Sequence, residues 1–155
     1  MSALDLITTR PLLPAYEAFV YQVYSSTRAD EMALIPWTEA QKEAFVHMQF
    51  QMREQHYHAA YPEAVTQIIL CNGVPAGTLI TDRTAETIHL VDISLLASFR
   101  GIGLGTAILR NLQKEGKKIT LHVLKQNPAV HLYSRLGFVT TGEDSMYLSM
   151  EWSPR

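Results

Sequence analysis

A glycine-rich stretch in the second half of the chain has the composition of an anion-binding loop. Arg100-Gly101-Ile102-Gly103-Leu104-Gly105 follows a β-type run over Thr87–Leu96, and a helical pattern begins at once over Gly103–Glu115. Glycine lets the backbone approach a ligand closely, and the first turn of a helix adds free N–H groups and a positive dipole end. We therefore predict that a pyrophosphate is bound by Arg100, Gly101, Ile102, Gly103, Leu104, Gly105 and Thr106.

The spacing of this stretch argues against two other interpretations and leaves a third one open. A dinucleotide-binding fold uses Gly-x-Gly-x-x-Gly near the start of a βαβ unit, whereas this chain has Gly-x-Gly-x-Gly near its middle. A Walker loop requires Gly-Lys-Ser/Thr, and Gly105 is followed by Thr106 without a lysine. The third interpretation, a plain glycine turn, stays open from these residues alone.

A second segment carries a tyrosine. Asn127 and Pro128 have the residue types of a helix N-cap and first helical position, and they open a helix predicted over Asn127–Leu136. Tyr133 lies on that helix. A phenol has an ordinary pKa of about 10, so at neutral pH it can donate a proton to an anion. Tyr133 also lies on an apolar stripe of the helix, so it is equally a candidate core residue.

Two side chains on the Thr87–Leu96 run are candidates for accepting a proton. Asp92 is a carboxylate in an otherwise apolar strand, where burial would raise its pKa to useful values. It is equally suited to a structural role as a hydrogen-bond acceptor. His89 has a suitable ordinary pKa. The other histidines lack carboxylate or thiol partners at ligand spacing, so no metal site is predicted.

Hydrophobic periodicity predicts the elements that position these residues. A short strand at Leu4–Thr9 precedes a helical pattern at Tyr16–Tyr24, and a second helix opens with the capping box of Thr38 and Gln41. The apolar stripe of that second helix is Phe45, Met48, Met52 and His56.

The second half of the chain is predicted to form most of the sheet. Strands are predicted at Val65–Cys71 and Val74–Thr81, and Asn72-Gly73 between them is a strong hairpin signal. Later strands are predicted at Ile119–Leu124, Phe138–Thr141 and Met146–Met150. The resulting order, β-α-α-β-β-β-α-β-α-β-β, predicts an α/β fold with a single mixed central sheet and helices on both faces.

Composition narrows the class of protein. The 155 residues fit one domain, 1–155, and the formal charge is −2 with no long run of either sign. Nucleic-acid binding and membrane association are therefore not expected. No secretion signal is visible, and the single Cys71 excludes an intrachain disulfide, so a cytoplasmic protein is predicted. A homodimer is left open.

These segments resemble the GNAT superfamily of N-acetyltransferases. Arg-x-x-Gly-x-Gly, after a run that ends in Asp92-Ile93-Ser94-Leu95, resembles the family's pyrophosphate signature. Leu121-His122-Val123, Asn127-Pro128-Ala129 and the run 132–138 resemble its second conserved segment. The resemblance covers roughly Ala64–Met150. The first 60 residues match only in being a strand and two helices, the part that varies with substrate in this family.

The resemblance implies that an acetyl group moves from acetyl-CoA directly to an amine, either of a small molecule or of a protein. It implies that a backbone N–H near Ile93, Ser94 and Leu95 polarises the thioester carbonyl. It also implies that Asn127 contacts the cosubstrate and that Tyr133 protonates the departing thiolate. The base that takes the amine proton stays open between Asp92, His89 and ordered water.

The sequence leaves two rival functions open, and it does not determine the acceptor. The rivals are a non-catalytic acyl-CoA-binding sensor and a nucleotide-phosphate binder that uses the same loop. The segment Arg28–Tyr61 carries several aromatic residues and glutamates, which suit either an aromatic pocket for a cationic amine or a core with a solvated face.

Overall fold

The computed structural model describes residues 6–155, in which a seven-stranded sheet is the central element. The strands in chain order are β1 (Ile7–Pro11), β2 (Val65–Cys71), β3 (Val74–Arg83), β4 (Thr87–Leu95), β5 (Lys118–Leu124), β6 (Val139–Glu143) and β7 (Tyr147–Trp152). They lie in the order β1-β2-β3-β4-β5-β7-β6, and every neighbouring pair is antiparallel except β4 and β5. Leu4 and Asp5 of the predicted first strand lie outside the described residues.

Helices cover both faces of the sheet. The helices are α1 (Glu17–Ala33), α2 (Glu39–Ala60), α3 (Leu104–Gln113) and α4 (Ala129–Arg135). On one face α1 contributes Val20, which packs with Ile68 and Leu70 of β2. On the other face α3 and α4 pack against the strands in the larger core. The predicted fold class and the order of the elements are therefore confirmed. No helix in the described part of the chain is long and apolar enough to cross a membrane.

Two local sequence signals produce the structures that they predict. Asn72 and Gly73 have φ angles of 53° and 79°, the left-handed geometry of a type I′ turn, and they join β2 to β3. At the start of α2, Gln41 N–H donates to Thr38 Oγ1 at 3.2 Å and Thr38 N–H donates to Gln41 Oε1 at 3.0 Å. The hairpin and the capping box are both confirmed.

The structure corrects the predicted orientation of α2. Its apolar stripe is largely in solvent, with Met48 48% and Met52 60% exposed. The side of the helix that faces the protein carries instead Val46, Phe50, Arg53 and Tyr57. The prediction was wrong because two of these inward-facing residues are polar or amphipathic, so apolar periodicity alone indicated the opposite side.

An irregularity in β4 sets the direction of the side chains at its end. Ile80 of β3 pairs with Asp92, but Thr81 pairs with Leu90, so Val91 is an extra residue in a β-bulge. Without the bulge, Asp92 would face the same side as Leu90, which lies in the larger core. With the bulge, Asp92 faces α2 instead.

The parallel pair of β4 and β5 is short. Their pairing runs from Thr87 and Lys118 to Leu90 and Leu121 and then stops. Beyond that point β4 remains paired with β3, and β5 remains paired with β7. The two strands therefore diverge and leave an opening between them.

Candidate active site

A cleft of about 730 Å³ lies where β4 and β5 diverge. One wall is the end of β4 from Asp92 to Leu95, and the other is the end of β5 from His122 to Leu124. The glycine loop and α4 lie toward one face of the sheet, and α1 and α2 toward the other. Helices and loops add Tyr24, Thr27, Arg53, Tyr57, Arg100, Gly105, Asn127, Leu132 and Tyr133. The cleft therefore passes through the sheet and reaches both faces.

The glycine loop forms an anion cradle at one end of this cleft. Gly101 and Gly103 have φ angles of 74° and 86°, which favour glycine at both positions. Helix α3 begins after Gly103 without a capping side chain, so the first N–H groups of the helix remain available. Arg100 and Gly105 line the cleft. This geometry fits the negative charge of a pyrophosphate.

The loop residues contribute to the cradle in different ways. The side chain of Leu104 is 1% exposed and belongs to the core, so only its backbone is available to a ligand. Ile102 is 45% exposed, and Thr106 is half-buried in the first turn of α3. The seven predicted residues thus lie in one loop and the first turn of α3, and of these Arg100 and Gly105 line the cleft.

Two backbone groups of β4 point into the cleft. Leu96 N–H donates to Ala76 O of β3 at 2.9 Å. Because backbone groups alternate along a strand, those of Ser94 also face β3, while those of Ile93 and Leu95 point toward the divergence. Arg100 Nε donates to Leu95 O at 2.9 Å, which agrees with this direction. The donors available to a carbonyl oxygen are therefore Ile93 N–H and Leu95 N–H. The backbone of Ser94 faces β3, so only its side chain is available for other contacts.

Tyr133 is both a core residue and a cleft residue. It is 6% exposed, packs against Phe138 at a ring-centroid distance of 5.6 Å and lines the cleft. Its hydroxyl makes no hydrogen bond to any of residues 6–155. Burial, with a smaller contribution from the Asp92 carboxylate, raises the pKa of Tyr133 to about 12. The phenol therefore stays protonated at neutral pH and is available as a donor.

Asp92 is held by an ion pair with α2 that the sequence did not predict. Its Oδ2 accepts from Arg53 Nη2 at 3.0 Å and from Ser94 Oγ at 2.9 Å. The Arg53 guanidinium lies 5.2 Å from the ring centroid of Tyr24 and 4.9 Å from that of Tyr57. Burial raises the pKa of Asp92, and the contacts with Arg53 and Ser94 oppose that rise. Oδ1 has no hydrogen bond to a described residue.

The histidines are arranged differently from the prediction. His89 Nδ1 lies 2.7 Å from Thr120 Oγ1, and its ring stacks on Tyr61. His89 is not among the cleft-lining residues, and burial lowers its pKa, as does the nearby His122. His122, which the sequence indicated as an ordinary histidine, does line the cleft. The sequence signal that could have indicated this position is the alternation of the polar His122 with the apolar Leu121 and Val123 along the strand. Residues 6–155 contain no histidine, cysteine or carboxylate cluster suited to a metal ion.

Asn127 lies at the start of α4 and lines the cleft. Its Oδ1 accepts from Ala129 N–H at 2.9 Å. The helix itself begins at Ala129, two residues later than predicted. Gly137 has a φ angle of 93° and follows the helix, as predicted. Pro128, predicted at the first helical position, is instead the N-cap, and Asn127 precedes it while its side chain accepts from the first helical N–H.

Of the two interpretations of the segment 28–61, the aromatic and acidic pocket is not formed in the described part of the chain, and the alternative of a core with a solvated face fits better. Among the aromatic residues of Arg28–Tyr61, Tyr57 alone lines the cleft. Trp37 packs on Phe45 at 5.3 Å. The four glutamates contact partners outside the cleft or at its edge, in the pairs Glu31–Arg28, Glu39–Lys42, Glu43–Tyr21 and Glu54–Arg53. The side of the cleft that faces α1 and α2 is therefore formed by tyrosines and an ion pair.

The chain belongs to the Acetyltransferase (GNAT) family. The sequence profile of that family matches residues 27–138, which include the glycine loop, both strands that border the cleft and Tyr133. No curated protein matches the chain in sequence.

Solved structures share the fold at low sequence identity. The PaiA N-acetyltransferase of Thermoplasma acidophilum in complex with coenzyme A is 16% identical, with a TM-score of 0.67 over 97% of this chain and 99% of that one. The ribosomal-protein-S18-alanine N-acetyltransferase of Escherichia coli is 20% identical, with a TM-score of 0.63 over 96% and 94%. Arabidopsis thaliana Naa50, in complex with the bisubstrate analogue CoA-Ac-MVNAL, is 15% identical, with a TM-score of 0.60 over 95% and 98%.

Proposed function

We propose that this protein transfers an acetyl group from acetyl-CoA to an amine within the cleft between β4 and β5. One observation carries the proposal: a single cleft joins an anion cradle to a buried, protonated phenol and an anchored carboxylate. The loop 100–106 holds the pyrophosphate, and Asn127 and Tyr133 line the same cleft.

The proposed reaction divides the work among three sets of groups. The amine nitrogen attacks the thioester carbonyl carbon, so an N–C bond forms and the C–S bond breaks. Ile93 N–H and Leu95 N–H stabilise the negative charge that develops on the carbonyl oxygen. Asp92 Oδ1 takes the amine proton, and Tyr133 donates a hydrogen bond to the sulfur as it leaves.

The pKa of Tyr133 limits what its hydroxyl does. A phenol with a pKa of about 12 is a weaker acid than an ordinary thiol, whose pKa is about 8.5. Complete proton transfer to a thiolate is therefore uphill. We infer that Tyr133 lowers the barrier by a charge-assisted hydrogen bond, and that solvent completes protonation of the sulfur after the products separate.

Two other groups compete with Asp92 for the amine proton. His122 lines the cleft, and an imidazole is the side chain that most often acts as a general base. Ordered water is the other alternative. Asp92 is favoured because one of its oxygens is fixed by Arg53 and Ser94, which leaves Oδ1 oriented for the acceptor.

The charges that line the cleft limit how many positive charges the acceptor can carry. Asp92 is the one carboxylate among the described cleft-lining residues, and Arg53 already neutralises it. We therefore propose an acceptor with a single amino group, and we disfavour a polyamine, which needs further carboxylates. A peptide N-terminus fits this description, and two of the structures above are a protein-alanine acetyltransferase and a complex with a peptide bisubstrate analogue. A small primary amine fits equally.

An amine panel tests the proposal. Release of free CoA thiol is measured with peptides that have free N-termini, with small monoamines and with polyamines. Turnover with at least one single-amine class is expected. Binding of acetyl-CoA without turnover on any amine would favour a sensor, and tighter binding of ATP or NAD than of CoA would contradict the site assignment.

The glycine loop yields a first prediction. Gly103→Val should weaken acetyl-CoA binding at least tenfold, about 1.4 kcal/mol, because a branched side chain disfavours the backbone that exposes the N–H groups. Gly116→Val is the matched control, since Gly116 has a similar φ of 75° but follows the end of α3. Calorimetry should find normal affinity in the control. Equal losses in both variants would show that strain, and not ligand approach, is being measured.

The acceptor side yields a second prediction. Thr27 lies on α1 at the edge of the cleft, and Thr27→Trp should raise the acceptor KM several-fold by narrowing this end. The KM for acetyl-CoA should stay nearly constant because the glycine loop is untouched. Gln22→Trp, an exposed position on the same helix that does not line the cleft, is the control. A change in the acetyl-CoA KM alone would place the acceptor elsewhere.

A further inference from the structure

The end of β4 lies directly against a glycine of β3. Gly77 is buried and pairs with Leu95 in the antiparallel register. A Cβ added at Gly77 would lie closer than 3.0 Å to the carbonyl oxygen of Ser94, 2.8 Å from Leu95 Cδ2 and 3.1 Å from Leu95 Cα. Two of these three atoms belong to the backbone, which cannot move aside as the end of a flexible side chain can. The close approach of β4 therefore depends on the missing side chain at residue 77.

The carbonyl group that approaches Gly77 belongs to the same peptide group as a proposed donor. The peptide bond between Ser94 and Leu95 is planar and trans, so Ser94 O and Leu95 N–H lie in one rigid plane and point in opposite directions. The oxygen faces β3, and the N–H faces the cleft. A Cβ at residue 77 would displace the oxygen, and the N–H would tilt with it.

The next peptide group is held by the neighbouring residue of β3. Leu96 N–H donates to Ala76 O at 2.9 Å, and this N–H shares its plane with Leu95 O. Ala76 is 0% exposed and belongs to the larger core, so the acceptor is in a rigid environment. Leu95 lies between the two peptide planes that contact β3. Its backbone orientation is therefore fixed from both sides, by Gly77 and by Ala76.

We propose that Ala76 and Gly77 position the Leu95 N–H for the thioester carbonyl, Gly77 by permitting the close approach of Ser94 and Ala76 by its hydrogen bond. The inference rests on the proposed acetyl transfer. Neither residue lines the cleft, so both act through β4. A hydrogen bond weakens steeply as its angle falls toward about 120°, so a tilted donor stabilises the oxyanion less. The pyrophosphate is bound by a separate segment, so kcat should change more than the affinity for CoA.

The substitution Gly77→Ala tests the contact with Ser94. Removal of one oxyanion donor typically lowers kcat by about 10²–10³-fold, and we expect tilting it to lower kcat at least tenfold. The Kd for CoA, measured by calorimetry, should change by less than about threefold. Gly142→Ala is the matched control, because Gly142 also lies in a strand and an added Cβ would meet nothing within 4 Å. It should keep the wild-type kcat. A normal kcat in folded Gly77→Ala would overturn the proposal.

The substitution Leu96→Pro tests the hydrogen bond to Ala76, and it decides the question if melting curves show that Gly77→Ala does not fold. Proline has no N–H, and the φ angle of Leu96, −60°, is one that proline adopts without strain. Leu96→Ala keeps the N–H and controls for the lost side chain. We expect kcat of Leu96→Pro to be several-fold below that of Leu96→Ala, with equal affinity for CoA. Equal kcat values would overturn the proposal.

The infrared carbonyl stretch of bound acetyl-CoA separates this inference from the proposed function. Isotope-edited spectra without an amine report how strongly the protein polarises the thioester carbonyl. Binding to the wild type should lower the frequency, and the shift should be smaller in Gly77→Ala and Leu96→Pro at saturating ligand. That pattern in a protein that acetylates no amine would support the positioning role and contradict the proposed function. Equal frequencies in the wild type and both variants would overturn the positioning role.

Discussion

Replacing Tyr133 with phenylalanine should lower kcat by about 10- to 100-fold and leave acetyl-CoA affinity and melting temperature nearly unchanged. A hydrogen bond to a charged group contributes about 1.5–3 kcal/mol, and 1.4 kcal/mol corresponds to tenfold in rate. The hydroxyl has no protein hydrogen bond in the described chain to lose, and the ring keeps its contact with Phe138. Steady-state kinetics with saturating acetyl-CoA and thermal unfolding of the same preparation measure both quantities.

The stability measurement separates the two roles of Tyr133. Tyr16→Phe is the control, because Tyr16 is a partly buried tyrosine that packs in the smaller core and lies outside the cleft. It should leave kcat unchanged. A Tyr133→Phe variant with normal kcat and a lower melting temperature would show a purely structural tyrosine, and the catalytic role of α4 would be withdrawn.

Local signals predicted the backbone geometry of the parts of the candidate site that are continuous in sequence. The glycine loop and the first turn of α3 lie within seven consecutive residues, and their geometry depends on backbone conformations that glycine permits. Tyr133 was predicted for a similar reason, since its helix is bounded by Asn127 and Gly137. The start of that helix was misplaced by two residues because Pro128 is the N-cap and Asn127, one residue before it, bonds the first helical N–H.

Contacts between distant segments could not be predicted in the same way. Arg53 and Asp92 are 39 residues apart, and their pairing depends on which side of α2 faces β4. Apolar periodicity indicated the other side, because Arg53 and Tyr57 occupy inward positions. The bulge at Val91 has no sequence signal of its own, yet it turns Asp92 from the core toward α2. The half of the candidate site that faces α2 therefore follows from packing between distant segments.

Replacing Asp92 with asparagine should lower kcat/KM by about 10²-fold or more, since general-base assistance typically contributes 10²–10⁴. The acidic limb of the pH profile that belongs to Asp92 should also disappear. Ionisation of the acceptor amine also produces a limb in the pH profile. That limb is the same for all variants when one acceptor is used, so the profiles must be compared with one acceptor. If the Asp92→Asn variant keeps the complete wild-type profile, His122 or water is the base instead.

Arg53 provides the companion test, because its guanidinium lowers the pKa of Asp92 against the effect of burial. A base acts when deprotonated, so Arg53→Gln raises that pKa and should move the acidic limb to higher pH. Each unit of movement lowers kcat/KM tenfold at a pH below the limb. Activity should recover toward the wild-type value at high pH, and Arg53→Lys, which keeps the charge, should shift the limb less. A loss that is independent of pH would contradict an action through Asp92. When Asp92 is already asparagine, Arg53→Gln should lower kcat/KM little further, because the first substitution has already removed the Arg53–Asp92 ion pair.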